Sequence, residues 1–588
     1  MSSGFKRTAW LPLRLQYHPS AWRCGTGKRV FSQSQSFKRP GQSNSSKYSF
    51  TTPQILITFG ISASFSLATY LWTRNSNMSH PLSPHGTRST TPLSKGYIPT
   101  YDLSPNNLAS ARSKLEALLG KENVIDHLPT LISHSSTAWS PAPNGPLDHP
   151  SLIVYPSSTS DVSQIAKICH SHRIPMIAFS GGTSLEGTLA AQNSEICISF
   201  QRMNQILSLN LSDMDVIVQP GVGYLELNEI LAKEGGSEGG GLFFPPDPGP
   251  GAQIGGMIAQ GCSGTNAYRY GTMKDWVLGL TVVLADGTVI KTRGRPRKSS
   301  AGYDLTRLFV ASEGTLGLVT EASLRVTLKP RNVRVAVASF ESLEEAMGTT
   351  MGISEKGRQV EAMELLDDVT MHALNEAGYT ETQWPVKSTI FFKFAGESEE
   401  GVQRQIDFVE GLARKNGCEA FVRSKTDEQA ESLWAARKTA LWSLLAMKRD
   451  PDDEFLSADV CVPIGRLADI IGKTKKMLDE SGLVGSCLGH VGDGNFHTTV
   501  LYSPHEKPLA RKIIRDVQKL GVDMHGTVTG EHGIGLENRD ALIYELGEES
   551  VDAMRRVKYA LDPLGLLNPG KIMRLRFDED KEEKKKRS

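Results

Sequence analysis

The tightest constraint on the fold lies between Leu152 and Gly187. A short apolar run, Leu152-Ile153-Val154-Tyr155, stops at Pro156. From Asp161 the apolar residues Val162, Ile165, Ala166 and Cys169 recur at helical spacing, with Ser160 placed to cap the helix. A second apolar run, Pro175-Met176-Ile177-Ala178-Phe179, closes a β-α-β unit. It leads straight into Ser180-Gly181-Gly182-Thr183-Ser184-Leu185-Glu186-Gly187. Glycines of this kind let backbone N–H groups converge on a pyrophosphate, and the hydroxyls add neutral donors. By itself the loop is equally compatible with a tight turn, and it is not the GxGxxG of a dinucleotide fold.

Further along, the strand Val216-Ile217-Val218 ends at Gln219-Pro220-Gly221, and a helix follows through Leu227, Ile230 and Leu231. Phe244-Pro245-Pro246-Asp247-Pro248-Gly249 then precedes Ile254-Gly255-Gly256-Met257-Ile258-Ala259 and Gly264-Thr265-Asn266-Ala267-Tyr268-Arg269-Tyr270-Gly271. Rigid proline turns beside paired glycines let a flat ligand lie against main chain. Trp276 to Val289 alternates as a hairpin around Ala285-Asp286-Gly287, and Gly314-Thr315-Leu316-Gly317-Leu318-Val319 follows.

A different chemistry gathers near residue 490, in Gly489-His490-Val491-Gly492-Asp493-Gly494-Asn495-Phe496-His497. Asp493-Gly494 predicts a two-residue hairpin turn with both central residues at positive φ. That register sets His490 opposite His497, about 5 Å apart at Cβ, close enough to share one ion. Thr529-Gly530-Glu531-His532-Gly533-Ile534-Gly535 adds a carboxylate and another imidazole on pliant backbone. His490, His497 and Glu531 are therefore the candidate ligands of a divalent metal, with His532 beside them as a base. A solvated hairpin with idle histidines is the alternative.

Composition narrows the function classes. The formal net charge is +1, and the basic residues form no global excess, which argues against nucleic-acid binding. Seven scattered cysteines without a CxxC pair fit neither a disulfide framework nor a zinc finger. The even balance hides an asymmetry, since no Asp or Glu precedes Asp102. Nine Lys or Arg among many Ser and Gln in the first fifty residues make 1–54 an expected mitochondrial targeting segment. The uncharged run 55–72, with Tyr70 and Trp72 at its far end, is an expected membrane anchor. The basic flank would stay in the matrix, leaving the catalytic body on the intermembrane-space side of the inner membrane. Residues 73–104 read as a linker and 578–588 as a solvated charged tail.

From about Pro150 to Val326 the SGGTS, PPDPG/IGGMIAQ, GTNAYRYGT and SEGTLGLVT segments together resemble the FAD-binding domain of the vanillyl-alcohol-oxidase flavoprotein superfamily. GHVGDGNFH and TGEHGIG resemble the C-terminal substrate domain of flavin-linked D-2-hydroxyacid dehydrogenases, above all the mitochondrial, D-lactate-oxidising branch. The likeness covers roughly 105–575. It implies an α+β fold with a two-subdomain FAD-binding domain over 105–328 (core 150–326). A substrate, or cap, domain with the metal site would span 329–560, and 561–577 would return to the FAD domain. It further implies that Ser180, Gly181, Gly182, Thr183 and Ser184 line the pyrophosphate. Pro246, Gly255, Gly256, Met257, Asn266, Tyr268 and Gly271 would border the flavin ring and ribityl, with Gly317, Val319 and Asn568 completing the site. No His stands in the SGGTS loop or near 245–275, so FAD is expected to be non-covalent.

The expected reaction is oxidation of D-lactate or a similar small 2-hydroxyacid, with hydride passing to flavin N5. The metal, with zinc the expected ion, would acidify the hydroxyl, and His532 would take its proton. Arg437 matches the family's carboxylate-binding Arg, although a helix-surface Arg beside Lys438 is the plain alternative. Cytochrome c is the expected electron acceptor. Two departures bear on the substrate. Thr499 stands where D-2-hydroxyglutarate relatives carry Asn, which favours a small acid. Leu536-Glu537-Asn538-Arg539 replaces the usual Gly-Lys-Arg after GEHGIG. D-2-hydroxyglutarate or glycolate oxidation is the alternative within enzymes, and an inactive, membrane-anchored flavin-fold binding module the alternative outside them. The paired histidines with GEHGIG argue against an ether-lipid synthase of the same superfamily.

Overall fold

The computed structural model describes residues 99–575, apart from 138–139, 141–147, 236–240, 358–359 and 381. The expected targeting segment, membrane anchor, most of the linker and the charged tail lie outside the described residues. Among the described residues no helix is long and apolar enough to cross a membrane.

The two apolar runs that precede the first glycine loop form strands Leu152–Val154 and Met176–Phe179, joined through the helix Thr159–His172. They are parallel but not adjacent: Ile196–Ser199 inserts between them, and Val124–Ile125 pairs antiparallel on the outer edge. The helix cap is Ser158 rather than Ser160. Its hydroxyl accepts from the Asp161 N–H, while the Asp161 carboxylate accepts from the Ser158 N–H. A box of this kind satisfies two orphan donors at once. Ser160 has no acid three residues on, because that position is Ser163, whose hydroxyl donates to the Gly287 carbonyl.

A five-stranded antiparallel sheet follows, in the order Ile206–Asn210, Asp215–Val218, Leu318–Arg325, Val277–Val283, Val289–Lys291. The hairpin around Asp286 forms, but Val277–Val283 is buried along its whole length instead of alternating. Val282 packs into this sheet's own core, whereas Val283 packs under the first sheet, so both faces are covered.

The last sheet has seven antiparallel strands: Ala420–Arg423, Arg334–Phe340, Ser388–Phe394, Ala362–Leu366, Val484–Gly489, Asn495–Tyr502, Glu454–Cys461. Helices Leu343–Glu355, Glu399–Lys415, Leu467–Ser481 and Lys507–Asp523 bury their apolar stripes on one face. Helices Asp368–Ala377 and Asp427–Leu445 cover part of the other. Phe391, Phe392 and Phe394 are fully buried between these layers, each contributing about 1.5–3 kcal/mol. After helices Arg539–Leu546 and Glu548–Leu561, the chain returns to the first sheet. There Leu567 lies parallel to Met176, the Met176 N–H donating to the Leu566 carbonyl (2.7 Å) and the Asn568 N–H to the Met176 carbonyl (2.7 Å).

Candidate active site

The turn between the paired histidines differs from its sequence expectation. The register sets Leu488, not His490, opposite His497, and His490 stands in a five-residue connection, 490–494. Gly494 has φ +89°, but Asp493 is not at positive φ, so this is not the two-residue turn. The edge strand decides it. The Val462 N–H donates to the Gly494 carbonyl, and a Cβ on Gly494 would lie 2.1 Å from the Val462 carbonyl oxygen. On the other side Gly489 is paired with Leu365, which ends the ladder one residue before His490.

The imidazoles nevertheless meet. The His490 and His497 rings are perpendicular, with centroids 5.3 Å apart. Their Nε2 atoms lie 3.3 Å and 3.4 Å from the same oxygen, Glu531 Oε1. Two donors bound at about 2.1 Å in a tetrahedral array are about 3.4 Å apart, so this spacing fits the ligand shell of a zinc-like cation. Both histidines are buried.

Each ligand is oriented by a group outside that triangle. The His490 Nδ1 is 2.9 Å from both Glu364 oxygens. The Ser263 hydroxyl donates to Glu531 Oε2 at 2.6 Å. Asp459 pairs directly with His497 across the strands, and its Oδ2 accepts from the Glu531 and His532 N–H groups at 2.7 and 2.8 Å. Carboxylate support behind a ligating imidazole fixes its tautomer and direction. Burial disfavours a charge on His490, yet the Glu364 and Glu531 carboxylates on its two nitrogens hold its pKa well above the ordinary range. Burial prevails at His497 and lowers it. Glu531 and Asp459 stay ionised well below the usual carboxylate range, because the histidine charges around them outweigh burial.

His532 stacks on His497, with ring planes 7° apart and centroids at 4.9 Å. Its Nδ1 is buried without a hydrogen bond, 3.7 Å from Glu186 Oε1. Burial opposes its protonation, but Asp459 and Glu186 raise it to about 9. Arg437 is not a surface residue: its side chain is 12% exposed, and Nε donates to Glu364 Oε2 at 2.9 Å. The catalytic and metal candidates are thus one connected cluster.

A cavity in the FAD-binding half is lined by Ser180, Gly181, Gly182, Thr183, Ser184, Gly255, Gly256, Gly317, Val319 and Asn568. Its walls suit a diphosphate-bearing cofactor. The Ser184 hydroxyl and Gln260 Oε1 are buried there without partners, and such groups call for a ligand or water. Gly181 lets two loops touch, since a Cβ would stand 2.6 Å from the Gly251 carbonyl oxygen. Among the described residues, no His or Cys lines this cavity. The remaining cofactor candidates lie elsewhere. Met257 packs in the core of the five-stranded sheet. Pro246 is buried in its loop, and Asn266 donates to the Pro245 carbonyl at 2.9 Å. Tyr268 packs on Gly492, and Gly271 ends a short helix at φ +78°.

A second cavity of about 390 Å³ shares Gln260, Ser312 and Glu313 with the first and reaches Glu531. Glu313 joins the two halves, its carboxylate accepting from the Ile534 N–H (2.7 Å) and the Gly535 N–H (2.9 Å). Burial pushes its pKa up to about 7. Sequence reasoning missed Asp459, Glu364, Glu313 and Glu186. The visible signal for Glu364 is a lone acid inside an otherwise apolar strand, and for Asp459 an acid set between Ala458 and Val460, a residue type rarely buried unless paired.

Fold and site together define an FAD-linked oxidoreductase of the vanillyl-alcohol-oxidase type. Residues 150–293 match the FAD binding domain family and 329–572 the FAD linked oxidases, C-terminal domain family. The chain is 42% identical over 488 residues to D-lactate dehydrogenase [cytochrome], mitochondrial, of Kluyveromyces lactis, covering 81% of this chain and 84% of that protein. It is 41% identical over 495 residues to D-lactate dehydrogenase [cytochrome] 1, mitochondrial, of Saccharomyces cerevisiae, covering 83% of each. Among solved structures, 4-ethylphenol oxidase from Gulosibacter chungangensis superposes with a TM-score of 0.64 at 20% identity, over 82% of this chain and all of that one. The chain belongs to the FAD-dependent D-lactate dehydrogenase (cytochrome) family of D-2-hydroxyacid dehydrogenases.

Proposed function

We propose that this chain oxidises D-lactate to pyruvate and passes the electrons to cytochrome c. The observation that carries the reading is the His490–His497–Glu531 triangle with His532 stacked against it, joined through Ser263 and Glu313 to the half that holds the FAD cavity.

FAD held non-covalently in that cavity supplies the hydride acceptor. A divalent cation, zinc by its donor set, supplies Lewis acidity for the hydroxyl. The protein's own part is placement and proton handling. His490, His497 and Glu531 hold the ion, and Ser180 to Ser184 cradle the diphosphate. Arg437 presents a fork to the substrate carboxylate from a position secured by Glu364. His532, fixed through its backbone by Asp459, receives the hydroxyl proton. An ion held by His490, His497 and Glu531 would lower the proton affinity of the neighbouring His532.

Thr499 is buried on the His497 face of the sheet, paired with Ser457 and Ser486, and supports a small acid over D-2-hydroxyglutarate. Residues 1–54 would direct the chain to mitochondria. Residues 55–72 would hold it in the inner membrane with the catalytic body in the intermembrane space.

The test is anaerobic mixing of the flavin-loaded protein with single substrates. D-lactate should bleach the flavin and L-lactate should not. Faster bleaching by D-2-hydroxyglutarate or glycolate than by D-lactate would transfer the assignment to that acid.

A further inference from the structure

Lys393 stands on the face of the seven-stranded sheet that helix Asp427–Leu445 partly covers, opposite Ala362 and one pleat from the Glu364–Phe391 pair. Its half-buried ammonium lies 4.1 Å from the centroid of the Trp434 ring. Among the described residues it has no hydrogen bond and no ion pair, although an ammonium carries three N–H donors. Trp434 and Arg437 are three residues apart on one helix and so share a face. Arg437 likewise uses only Nε, on Glu364, and its two Nη groups have no acceptor among the described residues. Glu364 in turn holds His490. Two cations with unused donors therefore meet the same groups on the Glu364 flank of the metal cluster, Lys393 through Trp434 and Arg437 through Glu364. An aromatic ring can hold a cation in place without consuming its N–H groups.

We propose that Lys393 is a second seat for the substrate carboxylate, acting beside Arg437 on a small 2-hydroxyacid anion. The inference rests on the 2-hydroxyacid reading above. It explains an ammonium without a partner in a half-buried position, where burial, with Lys438, lowers its pKa, and Asp247, Glu364 and Glu361 oppose that shift only in part and without bonding it. The competing role is purely architectural: Lys393 offsets Asp247 of the flavin half and never meets substrate.

The two roles separate on substrate charge. Flavin bleaching is measured anaerobically with D-lactate and with its neutral amide, D-lactamide, in the native protein, Lys393→Met and Lys393→Arg. The Met stem keeps the packing on Trp434 and removes the charge. For Lys393→Met the preference for D-lactate over D-lactamide should fall about 10- to 100-fold, as expected for a lost charged hydrogen bond. The loss should appear in KM more than in the saturating rate, and Lys393→Arg should restore most of it. An unchanged preference in Lys393→Met overturns the inference, whatever happens to the absolute rate. If Lys393→Met fails to retain flavin, Lys393→Gln gives the same ratio under the same criterion. Failure of the native protein to bleach with D-lactate would instead refute the functional reading itself.

Discussion

Asp459 and His497 are direct cross-strand partners, and the same Asp459 carboxylate accepts the backbone N–H groups of both Glu531 and His532. One side chain on an edge strand therefore sets one imidazole ligand, the carboxylate ligand and the neighbouring histidine relative to each other. The GEHGIG loop has no regular secondary structure of its own to do this.

Asp459→Asn keeps the shape and removes the charge, and leaves an amide N–H₂ facing a backbone donor. Metal affinity should fall about 10- to 100-fold, the usual cost of losing support behind a ligand. Flavin content should not change. Metal analysis after dialysis, alongside the flavin absorbance, checks both parts.

His532→Ala should bind flavin and metal as the native protein does. Its rate of flavin reduction by D-lactate should be lower by about 10²- to 10⁴-fold, the range for loss of a positioned base. Rapid-mixing absorbance reads this directly. Full-rate reduction would remove His532 from the proton-accepting role.

Gly181→Ala introduces a Cβ 2.6 Å from the Gly251 carbonyl oxygen and 2.9 Å from the Gln253 nitrogen. Both obstacles are backbone, so the loops must separate. The purified variant should contain little flavin while the far-UV circular dichroism stays native-like.

Glu313 makes stability depend on pH. Its folded-state value of about 7 lies above the ordinary 4.5 because the carboxyl is buried. The native protein thus keeps a proton that the unfolded chain has already lost. The contribution is fully present below pH 4.5 and disappears as pH rises to about 7, an effect of about 3 kcal/mol. Denaturant midpoints measured from pH 5 to 8 should fall across that window, and the fall should be shallower in Glu313→Gln.

Much of the fold is local and was legible. Strands at Leu152 and Met176, the helix between them and the helix after Gly223 follow from apolar spacing, which is a property of neighbours along the chain. The Ser180–Ser184 loop was legible for the same reason, since its glycines and hydroxyls act through their own backbone. The Asp493-Gly494 turn was misread because the competing hydrogen bond comes from Val462, thirty-two residues from Gly494. Met257 fits a loop pattern but faces a core that residues as distant as Phe309 complete.

The sequence by itself determined the ligand types, the glycine-rich cradle and the order of the two halves, because each depends on residues within one short segment. Tertiary structure alone decided which acids serve the histidines. Glu364 reaches His490 across 126 positions, and Glu313 reaches Ile534 across 221. A buried charge is tolerated only where partners converge on it, and sheet register and the packing of the two halves bring those partners together.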